Sequence, residues 1–215
     1  MSVKIQWATP EIDKQVMFMA RVSNPEGQNS ENIKLLYFCM KKGHVSPFDM
    51  ANVCLEINTP RDIARQALRH SSIKPQEFSQ RYQTVDKLDD FCLREFRAQH
   101  PTNRQLSIDV PAGDERHDEW ARRQQQIIDL VTEHYEWCLK NGGAKEVARV
   151  ILPEGLTPSR CYFNGTMRSW ISYLKQRTHV STQKEHRFIA AQVLEQLRTV
   201  APVTMAAFFG EEQAA

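Results

Sequence analysis

Residues 69–82 read RHSSIKPQEFSQRY and carry the most informative pattern in the chain. We interpret them as the end of a cationic helix, a short loop, and a strand, Glu77–Val85, with one polar face. Glu77, Ser79 and Arg81 alternate with other residues, so an acid, a hydroxyl and a guanidinium share that face about 7 Å apart. This arrangement predicts an anion site facing a hydrogen-bonding surface, which suits a phosphorylated ligand with a polar ring.

The helix before the loop is predicted to span residues 59–70. Arg61, Arg65 and Arg69 fall four apart, so their side chains lie on one face of it. Five cations and two anions lie between Arg61 and Arg81, a local charge of +3 in a chain of net charge +2. A local basic segment fits a small anionic ligand, and we expect no nucleic acid partner. A solvated arginine stripe and a solvent-facing strand stay open as alternatives.

The rest of the chain mixes helical and strand periodicity, which predicts an α/β (α+β) fold. No repeat, low-complexity tract or linker interrupts it, so we expect one domain over residues 1–215. The predicted strands are 3–7, 49–58, 77–85, 91–97 and 159–163. The predicted helices are 10–22, 30–42, 59–70, 115–140, 144–151, 165–175 and 182–200, and residues 100–115 are predicted as a long loop.

Composition excludes several classes of protein. The chain is 41% hydrophobic and 25% charged, which is ordinary for a globular protein. No apolar run approaches a membrane span and residues 1–7 lack a signal-peptide pattern, so we expect a cytoplasmic protein with no membrane partner. The five cysteines contain no Cys-x-x-Cys and no His-Glu-x-x-His occurs, so no metal site is predicted. No Gly-x-Gly-x-x-Gly is present, which argues against a Rossmann turn.

Several short motifs resemble, in order, those of flavin-dependent thymidylate synthases. That family carries Arg-His-Arg, seven residues and then Ser, usually continuing to Arg-Tyr; here Ser71 takes the place of the second Arg. The matches extend from about residue 20 to residue 190. The other matching segments are GHVSPFD (43–49), RQALRH (65–70), ARVILP (148–153), MRS (167–169), Arg177 and Gln183-x-Glu185.

The resemblance implies a fold, an activity and an assembly. The fold is the mixed helix-and-sheet arrangement of this family. The activity is conversion of dUMP to dTMP, with methylenetetrahydrofolate as carbon donor and NADPH as reductant through bound FAD. The assembly is a homotetramer with active sites shared between subunits.

The resemblance also implies the residues of the site. Arg81 and Arg149 are the best candidates for the dUMP phosphate, since arginine forks bind phosphate bidentately. Arg177 is the expected catalytic residue, because it matches an arginine that polarises the uracil ring at N3 and O4. The expected dUMP residues are Gln66, Arg69, Glu77, Ser79, Arg81, Arg149 and Arg177. The expected FAD residues are Ser46, Arg69, His70, Ser71, Glu77, Thr166, Arg168 and Ser172, with His44 matching a position near the flavin.

Three of these positions depart from the family pattern. Ser71 replaces an arginine that contacts flavin, and Thr166 and Ser172 stand where many members have longer polar side chains. One charge-assisted hydrogen bond to phosphate is worth roughly 1.5–3 kcal/mol, about ten- to a hundredfold in affinity. We therefore expect weaker or differently oriented FAD, with Lys74 able to restore the charge but not the planar fork.

Arg168 and Arg177 are nine residues apart, half a turn out of phase on one straight helix. Either the helix ends before Arg177, or the two arginines serve sites in different subunits.

Two alternatives to thymidylate synthesis remain. The first keeps the scaffold but makes a hydroxymethylated deoxyuridylate, because Ser71, Thr166 and Ser172 change the surroundings of the flavin. The second is a non-catalytic nucleotide-binding or nucleic-acid-binding relative that uses the basic helix. Arg149, Arg177 and the face formed by Glu77, Ser79 and Arg81 argue against it, because a phosphate binder needs no ring-polarising arginine.

Overall fold

The structure, a computed structural model, describes residues 1–88 and 90–210. Helices and strands are mixed along the chain, so the α/β (α+β) prediction is confirmed. The domain prediction also covers residues 89 and 211–215, which lie outside the described residues. The helices are α1 (Ile12–Ala20), α2 (Lys34–Lys42), α3 (Arg61–Ala67), α4 (Glu115–Lys140), α5 (Lys145–Ala148), α6 (Met167–Arg177), α7 (Lys184–Val200) and α8 (Pro202–Phe209). The strands are β1 (Ser2–Ala8), β2 (Asn52–Pro60), β3 (Lys74–Glu77), β4 (Arg97–Gln99), β5 (Ser107–Asp109) and β6 (Pro158–Thr166).

The main sheet has four strands in the order β1-β2-β6-β3. An edge strand leaves backbone amides that need partners. Helix α7 supplies them for β1, since the amides of Val3 and Ile5 donate to the side-chain oxygens of Gln192 and Gln196 at 3.2 and 3.1 Å. At the other edge, β3 carries Pro75, which a strand tolerates only at an edge or a strand end because it has no N–H to donate.

The chain divides into two compact units. The first contains residues 1–57, 68–76 and 162 onward, and its core includes the buried face of α6. Trp170 on that face is 1% exposed, and its indole N–H donates to the carbonyl of Val53 on β2 at 3.0 Å. This bond fixes α6 against the sheet.

The second unit contains residues 58–67 and 77–161. Its longest element is α4, whose Gln124 is 2% exposed. The Gln124 amide accepts from the Arg94 backbone N–H and donates to the Arg94 carbonyl, both at 2.8 Å. The Arg94 side chain then pairs with Asp62 of α3 at 2.6 Å. These bonds tie the irregular segment around residue 94 to α4 and α3.

The predicted strand Glu77–Val85 is wrong, because β3 ends at Glu77. The Phe78 amide still donates to the Arg160 carbonyl at 2.9 Å, and after it the chain turns. The amides of Tyr82 and Gln83 both donate to the Ser79 carbonyl at 3.0 Å, which replaces a strand ladder by a local turn. Glu77, Ser79 and Arg81 therefore do not lie on one strand face.

The predicted strand 91–97 and the predicted loop 100–115 are also wrong in part. The amides of Cys92 and Arg94 donate to the Leu156 carbonyl and the Gln124 side chain, so this stretch joins no sheet. Strand β4 begins at Arg97 and pairs antiparallel with β5, which lies inside the predicted loop. The other elements differ from prediction mainly at their ends, and α8 was not predicted.

Helix α6 continues through Arg177, so the alternative in which the helix ends before this residue is wrong. Arg168 and Arg177 occupy opposite ends of one helix and point to different sides of it. Within residues 1–88 and 90–210, no helix has the length and apolar character needed to cross a membrane.

Candidate active site

The centre of the candidate site is a contact between Arg177 and His70, both in the first unit. Arg177 occupies the last turn of α6, and His70 lies in the loop after α3. The Arg177 Nε donates to the His70 Nε2 at 2.8 Å. A guanidinium has only donors, so Nε2 must carry the lone pair and Nδ1 the proton. His70 is therefore a neutral imidazole of defined tautomer.

The electrostatics of the pair agree with its geometry. Burial and the nearby charge of Arg177 lower the pKa of His70 from 6.5 to about 4. Burial and the charge of Arg69 lower the pKa of the Arg177 guanidinium, which stays charged near neutral pH. At neutral pH the site holds a fixed cation beside a neutral acceptor.

A cavity of about 310 Å³ adjoins this pair. Among residues 1–88 and 90–210, its lining contains two guanidiniums, three hydroxyls, an imidazole and an amide, and no carboxylate. Such a lining favours an anionic or strongly polar ligand. The lining residues are Arg69, His70, Ser71, Ser72, Ser172, Gln176 and Arg177.

Lys74 approaches the position at which Ser71 departs from the family pattern. Its Nζ donates to the Ser71 carbonyl at 3.0 Å. The Lys74 ammonium, predicted to replace the charge of the missing arginine, therefore lies at this loop. It does not offer the planar pair of donors that a guanidinium would.

A second group in the first unit surrounds Asp49. The Arg168 guanidinium donates to its Oδ2 at 2.9 Å, and the Thr166 hydroxyl donates to its Oδ1 at 3.1 Å. The same Thr166 oxygen accepts from the Ser169 amide at 3.2 Å, which caps α6. Ser46 is exposed at the start of the short helix that carries Asp49. Asp49 thus holds the two predicted flavin residues at the N-terminal end of α6.

In the second unit, Glu77 belongs to a shielded ion pair. Its Oε1 lies 3.3 Å from the Arg61 guanidinium and accepts from the Ser159 hydroxyl at 2.9 Å. The side chains of Arg61 and Glu77 are only 13% and 19% exposed. Burial, with Glu77 nearby, raises the pKa of the Cys161 thiol to about 12, so this thiol is an inert neighbour. Arg61 is therefore not a solvated helix residue.

Two further predicted dUMP residues of the second unit, Ser79 and Arg81, lie in the turn at 79–83. Ser79 and Arg81 line a cavity of about 770 Å³ together with Glu146, and Arg81 pairs with Glu146 at 3.0 Å. Lys145 donates to the Tyr82 carbonyl at 2.9 Å, which adds a second cation.

The structure thus separates the predicted residues into four groups. Arg69, His70, Ser71, Ser172 and Arg177 share one cavity. Ser46, Thr166 and Arg168 lie near Asp49, and Glu77 is paired with Arg61. Ser79 and Arg81 line the cavity at the turn; Gln66 lies on α3, and Arg149 begins the short helix after α5.

Sequence reasoning missed several residues that shape these groups. Ser72 and Gln176 line the cavity, and both adjoin predicted residues in the chain. Asp49 lies in a quoted motif, but its contacts are with residues more than 110 positions away. Pairs so far apart in the chain leave no local signal in the sequence.

Comparisons with known proteins agree with the motifs. A family model described as Thy1, thymidylate synthase complementing protein, matches residues 4–203. A flavin-dependent thymidylate synthase from Synechocystis sp. is 43% identical over 176 residues, 81% of this chain and 79% of that protein. One from Kosmotoga olearia is 31% identical over 192 residues, 88% of this chain and 82% of that protein.

Solved structures show the same likeness. The UMP/dUMP methylase PolB from Streptomyces cacaoi, bound with 5-Br dUMP, is similar with a TM-score of 0.83 and 26% identity. The alignment covers 96% of this chain and 93% of that one. PolB bound with 5-Br UMP gives a TM-score of 0.84 and 25% identity, covering 96% and 92%.

Replacement of Arg61 by Gln should destabilise the second unit strongly. It leaves the shielded Glu77 carboxylate without its cation, which costs about 3 kcal/mol of unfolding free energy for a buried pair. The matched control is Arg65→Gln, one turn along α3, whose pair with Glu154 is 54% and 55% exposed. This exposed pair should cost at most about 1 kcal/mol. Urea unfolding measures both, and equal losses would contradict the assignment.

His70 should titrate far below an ordinary histidine. NMR of histidine-labelled protein, assigned with His70→Gln, should give a midpoint near pH 4. Arg177→Gln removes one of the two causes of the depressed pKa, so the midpoint should rise but stay below 6.5 because burial persists. Lys175→Gln is the control, since the Lys175 amine lies 5.0 Å from the Phe208 ring. A wild-type midpoint near 6.5 would refute the buried, neutral His70.

Proposed function

Because this chain belongs to the Thy1 family of thymidylate synthase complementing proteins, we propose that it methylates dUMP to dTMP. The carbon comes from methylenetetrahydrofolate, and the electrons come from NADPH through FAD. The family match over residues 4–203 supports the further proposal that residues 1–215 form one catalytic domain. The protein is proposed to work in the cytoplasm.

The observation that carries this proposal is the Arg177–His70 contact. Methylation at C5 of uracil requires electron density at that carbon, and a cation beside N3 and O4 stabilises the anionic form of the ring. Arg177 suits this role because its charge persists near neutral pH and His70 holds its Nε. A guanidinium held in place before the reaction has little reorganisation to undergo when negative charge develops.

The proposed dUMP residues supply donors for a phosphate and a polar ring. Arg81 and Arg149 bind the phosphate, and the Ser79 hydroxyl adds a donor to the same anion. Gln66, Arg69 and Glu77 line the nucleotide, and Arg177 faces the ring. Arg81 has to exchange its exposed partner Glu146 for phosphate, and such an exposed pair costs little to open.

The residues proposed for FAD fit an anionic cofactor with a polar ring. Arg168, kept in place by Asp49, and Arg69 offer cations to the diphosphate. His70 offers an N–H at Nδ1. Bound FAD would supply the electron transfer from NADPH. The remaining proposed contacts come from Ser46, Ser71, Glu77, Thr166 and Ser172, of which Thr166 and Glu77 already hold protein partners.

A homotetramer with shared sites is part of the proposal. Arg168 and Arg177 both lie on α6, yet nine residues place them on opposite sides of a helix. One subunit therefore presents these two arginines in two directions. In sites shared between subunits, each of the two arginines could belong to a different site.

Anaerobic incubation of the purified protein with dUMP, methylenetetrahydrofolate, FAD and NADPH tests the function, with mass spectrometry of the nucleotide as readout. We expect dTMP, and none with Arg177→Gln. UMP should be added to the same mixture as a second candidate substrate, because PolB is a UMP/dUMP methylase. A hydroxymethylated product would assign the sister activity instead. Unchanged nucleotides, with FAD bound and reduced, would contradict methylation.

FAD affinity should depend on the charges at residues 71 and 74, at the loop where Ser71 replaces the family's arginine. Ser71→Arg restores a guanidinium, so FAD should bind about ten- to a hundredfold more tightly. Lys74→Gln removes the remaining charge and should weaken FAD binding about tenfold. Lys14→Gln on α1 is the control, since Lys14 is exposed and pairs with Glu11. Fluorescence titration of FAD measures all three, and unchanged affinity in Ser71→Arg would refute the role of this loop.

A further inference from the structure

Two buried polar residues form a hydrogen bond next to the Arg177–His70 pair. Tyr173 on α6 is 1% exposed and His186 on α7 is fully buried. The Tyr173 hydroxyl and the His186 Nε2 are 3.0 Å apart, which is a hydrogen bond between two buried side chains. A buried Tyr–His bond is costly to leave unmade, so the two side chains hold each other in place.

Tyr173 connects this bond to the candidate site in two ways. Its ring packs edge-on against the His70 ring, with centroids 4.9 Å apart and planes at 68°. It also precedes Arg177 by four residues on α6, so the two side chains are neighbours on one helix face. Tyr173 therefore touches one member of the Arg177–His70 pair and lies one turn from the other.

We propose that Tyr173 and His186 are positioning residues for the reaction. The Tyr173–His186 bond fixes the Tyr173 ring, the ring fixes the plane of His70, and His70 then holds the Arg177 guanidinium through Nε2. We assign neither residue a ligand contact, because Tyr173 and His186 are buried and do not belong to the lining of the cavity beside His70. This inference rests on the proposed function only for its catalytic readout.

The chemistry of the pair explains why such support is needed. An imidazole can flip or change tautomer. A flip would place the Cε1–H of His70 against the Arg177 donor, and a change of tautomer would place the Nε2–H there, so either change removes the acceptor. The edge-on Tyr173 ring restricts rotation, and a hydroxyl bonded at its far end restricts the ring itself. Active-site residues keep their geometry when a second layer of packing and hydrogen bonds locks their rotamers.

Tyr173→Phe is the decisive variant, because it removes only the hydroxyl and keeps the ring. We expect kcat for dTMP to fall about five- to tenfold, as one hydrogen bond of about 1 kcal/mol allows. KM for dUMP should stay within about twofold, since the substrate contacts are intact. Long-range ¹H–¹⁵N spectra should show His70 shifting from a single tautomer toward a mixture.

His186 provides the matched test. His186→Gln can still bond the Tyr173 hydroxyl and should retain most of the turnover, whereas His186→Leu should resemble Tyr173→Phe. If the two residues act as one unit, the double variant Tyr173→Phe, His186→Leu should be no slower than His186→Leu alone. An unchanged His70 tautomer in Tyr173→Phe, or independent and additive losses, would overturn the inference. If the wild type makes no dTMP, the proposed function fails, and the His70 spectra still decide the positioning role.

Discussion

The site depends on one hydrogen bond, from the Arg177 Nε–H to the lone pair of a neutral His70. The donor cannot become an acceptor, so the bond exists only while His70 stays unprotonated at Nε2. Burial keeps it so, because a second cation beside Arg177 would be costly in a shielded place. His70 accordingly is half-buried, with its ring packed against Tyr173 on one side while it lines the cavity.

Helix α6 is the element that meets this requirement. Asp49 and Thr166 hold its first turn, and Trp170 fastens its middle to β2. Tyr173 packs against His70, and Arg177 ends the helix. Side chains that hold the helix in place and side chains of the candidate site therefore share one helix of eleven residues. Any shift of this helix against its neighbours would move the Arg177 guanidinium at its end.

Sequence patterns predicted the fold class and the long helices, because apolar periodicity is a local property. They failed at Glu77–Val85, where polar residues alternate in a turn as they would in a strand. They also missed α8, whose first amides donate to Asp13, a partner about 190 residues away. The cavity residues from 69 to 72 and Arg177 were found through motif resemblance. The pairings of Asp49 with Arg168, of Arg61 with Glu77 and of His186 with Tyr173 were not predicted, because they depend on tertiary packing.

The most direct test is the variant Arg177→Lys, which replaces the planar guanidinium by an ammonium group. Lysine keeps the positive charge but cannot offer Nε to His70 while pointing a planar pair of donors at the uracil. Single-turnover formation of dTMP at saturating dUMP should slow by about a hundredfold in Arg177→Lys, while dUMP affinity changes far less. An Arg177→Lys enzyme with wild-type turnover would show that charge alone suffices and that the His70-held guanidinium is not what activates the substrate.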